Sequence, residues 1–265
     1  MSILLVGTGR VATALARRFA ERDYPIEYLY GRSADRARML AWESNSLPLG
    51  PADPVPENIE TVLLAVSDGA IESVARQLAP KLDPDVLVAH TSGATPATVL
   101  APHFKNFGTF YPLQTFTTGR TPDWTRLPIL VDANSTTARE HLRRLARKIS
   151  SKVSATTDEE RANLHVAAVM VNNFTNHLYH LAQRFCTDHH IDFKLLLPLI
   201  RETSEKIQDG RSPDAAQTGP ARRGDETTIQ RHLSQLETYP ELHELYRWFT
   251  DSIQRDDPNV EPPSN

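Results

Sequence analysis

Near its start the chain reads Ile3-Leu4-Leu5-Val6-Gly7-Thr8-Gly9-Arg10-Val11-Ala12, four apolar residues followed by a turn with two glycines. The apolar run predicts a buried strand, and residues 11–22 carry apolar side chains at helical spacing. The turn fits the pattern GxGxxG/A, in which Gly7 permits a tight turn, Gly9 lets a phosphate approach the backbone and Ala12 lets the helix pack closely. We therefore predict that this turn binds a dinucleotide, the alternative being a bare structural turn. The predicted contacts are Gly7, Thr8, Gly9, Arg10 and Val11.

The rest of the first half alternates short apolar runs with amphipathic stretches. Further strands are predicted at 26–30, 61–66, 86–89, 107–111 and 129–131, with helices at 34–42 and 68–78. Because strands that alternate with helices pair side by side, this order predicts an α/β fold with a doubly wound parallel sheet.

The second half has a different character. Residues 158–190 contain no proline or glycine and begin with Asp158, Glu159 and Glu160, charges that a helix N-terminus favours. Shorter helices are predicted at 193–208, 226–237 and 241–255. The pattern predicts a smaller all-α domain, with limits of 1–155 for the first domain, 156–255 for the second and 256–265 for a proline-containing flexible tail.

Composition narrows the class of protein. The 265 residues carry a formal net charge of −4, which argues against a dedicated partner among nucleic acids or anionic membranes. The single cysteine, Cys186, excludes an internal disulfide and fits a reducing compartment. No apolar run approaches the roughly 20 residues that span a bilayer, and the first residues lack the pattern of a signal peptide. A cytoplasmic protein is expected.

The end of the second predicted strand indicates which dinucleotide binds. It reads Tyr30-Gly31-Arg32-Ser33, without the carboxylate that usually bonds the ribose hydroxyls of NAD. The Arg32 guanidinium and the Ser33 hydroxyl suit a 2′-phosphate instead. NADP is therefore predicted over NAD, the alternative for Arg32 being a solvated surface residue.

Two later strands end in polar residues, Val66-Ser67-Asp68 and Ala89-His90-Thr91-Ser92-Gly93. Ligands of open α/β sheets bind outside the carboxyl ends of strands, so Val66, Ser67 and Asp68 are predicted to border the cofactor. A helix N-cap is the alternative for Asp68. For His90 we favour a hydrogen-bonded histidine beneath a loop.

One face of the long predicted helix carries polar residues in an apolar setting. His165 is followed at helical spacing by Val169, Asn172, Asn173 and Asn176. Asparagine is a poor helix former, and burying it is costly unless it binds something. The face is interpreted as a polar strip toward the cofactor, or alternatively as contacts with neighbouring helices or a dimer partner.

Four strings, spread between residues 90 and 225, carry a resemblance to a known family. They are His90-Thr91-Ser92-Gly93, Tyr111-Pro112-Leu113-Gln114-Thr115-Phe116, Leu164-His165 through Asn172-Asn173-Phe174, and Gln217-Thr218-Gly219-Pro220-Ala221 with Arg222-Arg223-Gly224-Asp225. The chain resembles the Rossmann-like proteins with a C-terminal helical domain of unknown function. These lie within the 6-phosphogluconate dehydrogenase-like superfamily, which includes the β-hydroxyacid dehydrogenases and pyrroline-5-carboxylate reductase. The resemblance implies a Rossmann domain, an all-α domain that forms a homodimer, and NADP binding.

The chain departs from the superfamily at two positions. The β-hydroxyacid dehydrogenases use a lysine four residues before an asparagine on the long helix, whereas Val169 stands four residues before Asn173. His165 is the obvious substitute for the proton donor. The related proteins usually have histidine where this chain has Tyr111, so no role is expected for Tyr111.

The segment from Thr218 to Asp225 is rich in anion-binding groups. Thr218, Arg222 and Arg223 are predicted to bind an anionic group of the substrate. The alternative is a connecting turn followed by an Asp225 N-cap, which leaves the two arginines unexplained. No metal site is predicted, because the histidines and the cysteine of the helical half lack the spacing of ligand pairs.

Together these features predict an NADP-dependent oxidoreductase that transfers a hydride to or from a small C=O or C=N substrate with an anionic group. His165 would act as general acid, Asn173 would orient the reacting atom and Ser92 would be a secondary contact. The alternative is a non-catalytic NADP-binding sensor or scaffold protein, which the missing lysine favours.

Overall fold

A computed structural model describes residues 2–255, which form two compact units, one through Phe174 and one from Thr175. The domain limits of 1–155 and 156–255 stay a prediction, and the predicted tail of 256–265 lies outside the described residues.

The first unit is built on an eight-stranded sheet. Its strands are β1 Ile3–Val6, β2 Tyr28–Tyr30, β3 Leu47–Leu49, β4 Thr61–Leu64, β5 Leu87–His90, β6 Asn106–Pro112, β7 Pro128–Ala133 and β8 Lys152–Ala155. Their spatial order is β3-β2-β1-β4-β5-β6-β7-β8, and every neighbouring pair is parallel except β6 with β7. The prediction of an α/β fold with a doubly wound parallel sheet and a helical C-terminal part is confirmed, with β6–β7 as the antiparallel pair.

The helices are α1 Arg10–Glu21, α2 Ala34–Ser44, α3 Ile71–Leu78, α4 Thr136–Ile149, α5 Asp158–Ala168, α6 Thr175–Asp188, α7 Leu197–Gln208, α8 Pro213–Ala216, α9 Glu226–Gln235 and α10 Pro240–Arg255. Short 3₁₀ turns lie at Asp68–Ala70, Ala79–Lys81, Ala97–Leu100 and Phe193–Leu196.

The central strands are covered on both faces. Every residue of β1 and β4 is buried, and their side chains alternate between two apolar clusters. One cluster includes Phe19 of α1 and Leu142 of α4, and the other includes Ile71 of α3. This two-sided burial is why both strands read as continuous apolar runs. Burial on both faces also fixes the ends of β1 and β4 beside the glycine turn.

The sheet differs from the sequence prediction in two ways. Two short edge strands, β3 and β8, were not predicted, because edge strands bury few side chains and β3 even contains Pro48, which an edge tolerates. The pair β6–β7 is antiparallel because no crossover helix lies in the segment between the two strands.

The long helix is continuous from α5 to α6 but contains a π-helical turn at Val169–Phe174. Its start is fixed by a capping box, in which Thr157 accepts from the Glu160 N–H and Glu160 accepts from the Thr157 N–H. The predicted helix is therefore present. The π turn changes the number of residues per turn, so the α-helical spacing that we used to place His165 and the asparagines on one face does not hold across it.

The second unit consists of α6 to α10. His232 Nδ1 of α9 lies 2.8 Å from the Tyr246 hydroxyl of α10, and Gln254 donates to Glu226. Cys186 of α6 is buried. Within residues 2–255, no helix combines the length and the apolar character that crossing a bilayer demands.

Candidate functional site

The glycine turn has two glycines with different roles. Gly7 has a φ of +127°, and a Cβ added there would lie 2.2 Å from the carbonyl oxygen of Ala65. Gly9 has an ordinary φ, and no atom lies within 4 Å of a Cβ added to it. No side chain caps the N-terminus of α1, so its first N–H groups are left for an external acceptor. The turn therefore has an accessible backbone and a positive helix end, which fit the phosphates of a dinucleotide.

The end of β2 adjoins this turn. Gly31 is so close to Thr8 that a Cβ on Gly31 would lie 2.7 Å from the Thr8 methyl group. Arg32 is exposed, and the Ser33 hydroxyl caps α2 by accepting from the Arg36 N–H at 3.4 Å. In the cap the Ser33 hydroxyl oxygen accepts a hydrogen bond, so its own O–H can still donate to another acceptor.

Arg36, which was not among the predicted cofactor residues, also lies at this turn. This side chain lines one cavity together with Thr8, Gly9 and Arg10, although Arg36 is 26 residues further along the chain than Arg10. The signal was available, because Arg36 stands one helical turn after Arg32.

At the end of β4, Val66 is half-buried, whereas Ser67 and Asp68 are exposed. Asp68 is the first residue of the 3₁₀ turn, and Ser67 occupies the N-cap position without a side-chain hydrogen bond. The N-cap alternative for Asp68 is therefore wrong.

His90 is fully buried at the end of β5. Its Nδ1 accepts from the Ser92 N–H at 3.2 Å, so Nε2 carries the proton toward the Pro96 carbonyl oxygen at 3.3 Å. Burial lowers the pKa of His90 to about 4, since a buried imidazolium loses its hydration. The interpretation of His90 as a hydrogen-bonded histidine beneath a loop is confirmed.

The Ser92 hydroxyl is engaged within its own loop. It donates to the Thr95 hydroxyl at 3.0 Å and accepts from the N–H groups of Ala94 and Thr95. These hydrogen bonds give Ser92 a structural role within the loop. Its contact with the substrate stays a prediction.

A second cavity, of about 470 Å³, lies between the end of β6 and the long helix. Its polar lining residues are Tyr111, Gln114, Thr115, His165, Asn172 and Asn173. The Tyr111 hydroxyl lies 3.0 Å from His165 Nδ1, with the two rings at 72° to each other. The expectation that Tyr111 has no role does not fit this geometry, since its hydroxyl contacts the predicted general acid.

Gly93 allows this contact. A Cβ on Gly93 would lie 2.5 Å from His165 Nδ1 and 2.8 Å from Cζ of Tyr111. The absence of a side chain at Gly93 therefore lets the tyrosine–histidine pair form directly against the loop after β5.

A buried cation stands one helical turn before His165. Arg161 is fully buried, forms a 2.7 Å ion pair with Asp158, and donates to the Thr95 carbonyl oxygen and the Thr109 hydroxyl. Asp158 in turn accepts from the Ala97 N–H. Burial raises the pKa of Tyr111, and the positive charge of Arg161 partly opposes this increase. Arg161 thus fixes α5 against β6 and the loop after β5.

The π turn contains both asparagines of this cavity. Asn172 is half-buried, Asn173 is exposed, and the Asn172 amide donates to Asn173 Oδ1 at 3.4 Å. π turns occur frequently at functional sites, so the position of this π turn one helical turn after His165 supports this cavity as the candidate site. Asn176 belongs to the second unit.

The predicted anion-binding segment lies in the second unit. Asp225 caps α9 by accepting from the Thr228 N–H and hydroxyl, as the turn alternative expected. The Arg222 guanidinium lies 3.5 Å from Asp214, and Arg223 and Thr218 are exposed. Within residues 2–255, we find no group of three or more His, Cys, Asp or Glu side chains suited to a metal ion.

Comparison with known proteins agrees with this architecture. A Rossmann-like domain model matches residues 1–113, and a domain of unknown function, DUF2520, matches residues 127–253. A crystal structure from Bacteroides fragilis, titled a "putative NADP oxidoreductase", is 33% identical with a TM-score of 0.88, covering 96% of this chain and 98% of that chain. The chain belongs to the Rossmann-like proteins that carry a C-terminal DUF2520 domain. The predicted resemblance is confirmed.

Two other structures are similar to this DUF2520 protein. A protein from Thermotoga maritima is 25% identical with a TM-score of 0.74, covering 96% of this chain and 97% of that chain. A reductive aminase from Aspergillus terreus, solved with NADPH, is 17% identical with a TM-score of 0.62, covering 96% of this chain and 92% of that chain, and shows the shared fold alone. A search of curated proteins found no match.

Proposed function

We propose that this protein is an NADP-dependent oxidoreductase that transfers a hydride to or from a small C=O or C=N substrate with an anionic group. The observation that carries the proposal is the hydrogen bond between Tyr111 and His165 beside a cavity large enough for a small substrate. The Bacteroides fragilis relative is described as a "putative NADP oxidoreductase", which supports the reaction class.

The cofactor phosphates fit the open backbone at Gly9 and the uncapped end of α1. Arg10 lies at the first residue of that helix, and Arg32 with Ser33 supplies groups for a 2′-phosphate. Arg36 joins this set, because it lines the same cavity as Thr8 and Gly9. Val11, Val66, Ser67 and Asp68 remain proposed neighbours of the cofactor. NADPH, when bound, supplies the hydride.

His165 holds the proton that the reaction requires. When the Tyr111 hydroxyl donates to Nδ1, the proton of the neutral imidazole resides on Nε2, which is then the donor left for a substrate atom. Asn173 lines the same cavity, where its amide can orient the reacting oxygen or nitrogen. Thr218, Arg222 and Arg223 are proposed to bind the anionic group of the substrate, and Ser92 is proposed as a secondary contact.

A screen of small ketones, aldehydes and imines for NADPH consumption tests the proposal. We expect H165A and N173A to lose at least about tenfold in turnover on a substrate so identified, since general acids contribute about 10²–10⁴-fold. His177→Gln, an exposed histidine on the same long helix, is the control. Full turnover by both H165A and N173A would overturn the catalytic assignment.

The alternative is an NADP-binding sensor or scaffold, favoured by Val169 in place of the superfamily lysine. The two functions differ in whether NADPH is consumed. A sensor binds NADPH and shows no consumption with any substrate of the screen, and H165A leaves its affinity for NADPH unchanged.

We further propose that the protein is a homodimer. Large apolar side chains are exposed in both units, including Val171 at 75%, Phe174 at 59% and Leu195 at 73%. Exposed apolar residues in such number are typical of a protein–protein interface. Light scattering should give a mass near twice 29.7 kDa, and V171E should lower it; a monomeric wild type would contradict the proposal.

A further inference from the structure

Five arginines line one cavity of about 550 Å³ beside the glycine turn. The cavity extends from Thr8 and Gly9 along α1 to a segment at 116–124, and its lining arginines are Arg10, Arg17, Arg18, Arg36 and Arg120. Glu21 is the one carboxylate of the lining. An excess of positive charge in one cavity of a chain with a net charge of −4 indicates a local site for an anion.

Two of these arginines already have carboxylate partners. Arg17 pairs with Glu43 at 2.6 Å, and Arg18 pairs with Glu21 at 3.2 Å. The side chains of Arg10, Arg36 and Arg120 form no hydrogen bond or ion pair with any part of the chain from 2 to 255. Helix α1, helix α2 and the 116–124 segment thus each place one guanidinium without a partner among residues 2–255 at the same cavity.

The 116–124 segment is anchored at its ends and exposed at its tip. The rings of Phe116 and Trp124 lie 6.1 Å apart, and Trp124 is only 4% exposed beneath the Arg18 guanidinium. Between them the chain reads Thr117-Thr118-Gly119-Arg120-Thr121-Pro122-Asp123, and Gly119 has a φ of +79°. The Asp123 carboxylate accepts from the Thr125 N–H and hydroxyl and does not line the cavity. This segment presents hydroxyl groups and one guanidinium on a fixed base, which are groups that bind phosphate.

We propose that the 116–124 segment is a second wall of the cofactor site and that Arg120 binds a phosphate group of the cofactor. This inference rests on the proposed function. Because the cavity begins at the open backbone of Gly9, the cofactor's own phosphates are a better match than a separate phosphorylated ligand.

Calorimetric titration of NADPH, NADH and 2′,5′-ADP into wild type and R120Q tests the inference. We expect R120Q to weaken NADPH binding about tenfold, the effect of losing one charge-assisted hydrogen bond. Arg126→Gln is the matched control, since Arg126 is exposed near the same segment but does not line the cavity. R120K should retain part of the affinity, and all variants should melt at the wild-type temperature because Arg120 is exposed.

The arms of the experiment identify the phosphate. Equal losses for NADPH and NADH assign Arg120 to the pyrophosphate, whereas losses for NADPH and 2′,5′-ADP without a loss for NADH assign it to the 2′-phosphate. Unchanged affinities of R120Q for NADPH, NADH and 2′,5′-ADP would overturn the inference. A loss confined to inorganic pyrophosphate, titrated as a fourth ligand, would also overturn it, because it would indicate a separate anion site. A wild type that binds neither NADPH nor NADH would instead overturn the proposed function.

Discussion

The Tyr111 hydroxyl lies 3.0 Å from Nδ1 of His165, although the two residues are 54 positions apart in the chain. Strand β6 supplies the tyrosine, α5 supplies the histidine, and Gly93 leaves the space in which they meet. The pair belongs to the same compact unit as the glycine turn. A predicted proton donor therefore has a defined hydrogen-bond partner that fixes its orientation.

Tyr111→Phe should change the tautomer of His165. Without the hydroxyl, Nδ1 loses its partner, so the imidazole ¹⁵N signals should move toward a mixture of tautomers. Loss of one hydrogen bond should also lower the free energy of unfolding by about 1 kcal/mol. Nitrogen NMR and urea denaturation measure the two effects, with Tyr179→Phe as the control. Identical imidazole signals in wild type and Y111F would contradict the pairing.

The two turn glycines should respond differently to alanine. In G9A the new methyl group enters open space, so stability should change by no more than about 1 kcal/mol while NADPH binding weakens at least about tenfold. In G7A the methyl group meets the Ala65 carbonyl at a φ of +127°, so the fold itself should be destabilised. Thermal melting and NADPH titration separate the two effects. A G9A variant that binds NADPH like wild type would exclude a phosphate at this position.

Arg161→Met should be strongly destabilising. It removes a fully buried cation that pairs with Asp158 and bonds Thr95 and Thr109. Hydrogen bonds of a charged group are each worth about 1.5–3 kcal/mol, and the Asp158 carboxylate left without its partner is 31% exposed, so we expect a loss of about 3 kcal/mol in the free energy of unfolding. Urea denaturation of R161M and of the double variant R161M/D158N measures this cost. The double variant should recover part of the loss, and a single variant as stable as wild type would rule out the proposed anchoring.

His90 should make stability depend on pH. Its pKa is about 4 in the folded protein against an ordinary value of 6.5, so between these values the unfolded chain binds more protons than the folded one. Stability should therefore be unaffected by His90 above pH 6.5 and should fall as pH is lowered toward 4, by about 3 kcal/mol in total.

Denaturation of wild type and His90→Gln between pH 4.5 and 7 isolates this effect. Burial also lowers the pKa of His141, which adds a slope of the same sign, so the difference between the two proteins is the informative quantity. Parallel pH profiles of stability would show that His90 is not the group responsible.

Local patterns were sufficient for much of the molecule. Strands β1 and β4 are buried on both faces and appear as apolar runs, the glycine turn lies between β1 and α1, and Asp225 caps α9 as its position suggested. In each case the residues that determine the structure are neighbours in the chain. Periodicity, glycine conformation and capping chemistry can therefore be read directly.

The alternation of strands and helices, the glycine turn and the helical second half follow from local sequence, because each depends on interactions within a few residues. Packing between distant segments decided the two edge strands, the reversed direction of β7 and the π turn at Val169–Phe174. It also decided the meeting of Tyr111 with His165 and of Arg120 with the turn cavity. These features depend on which distant segments pack together, and no local pattern records such a choice.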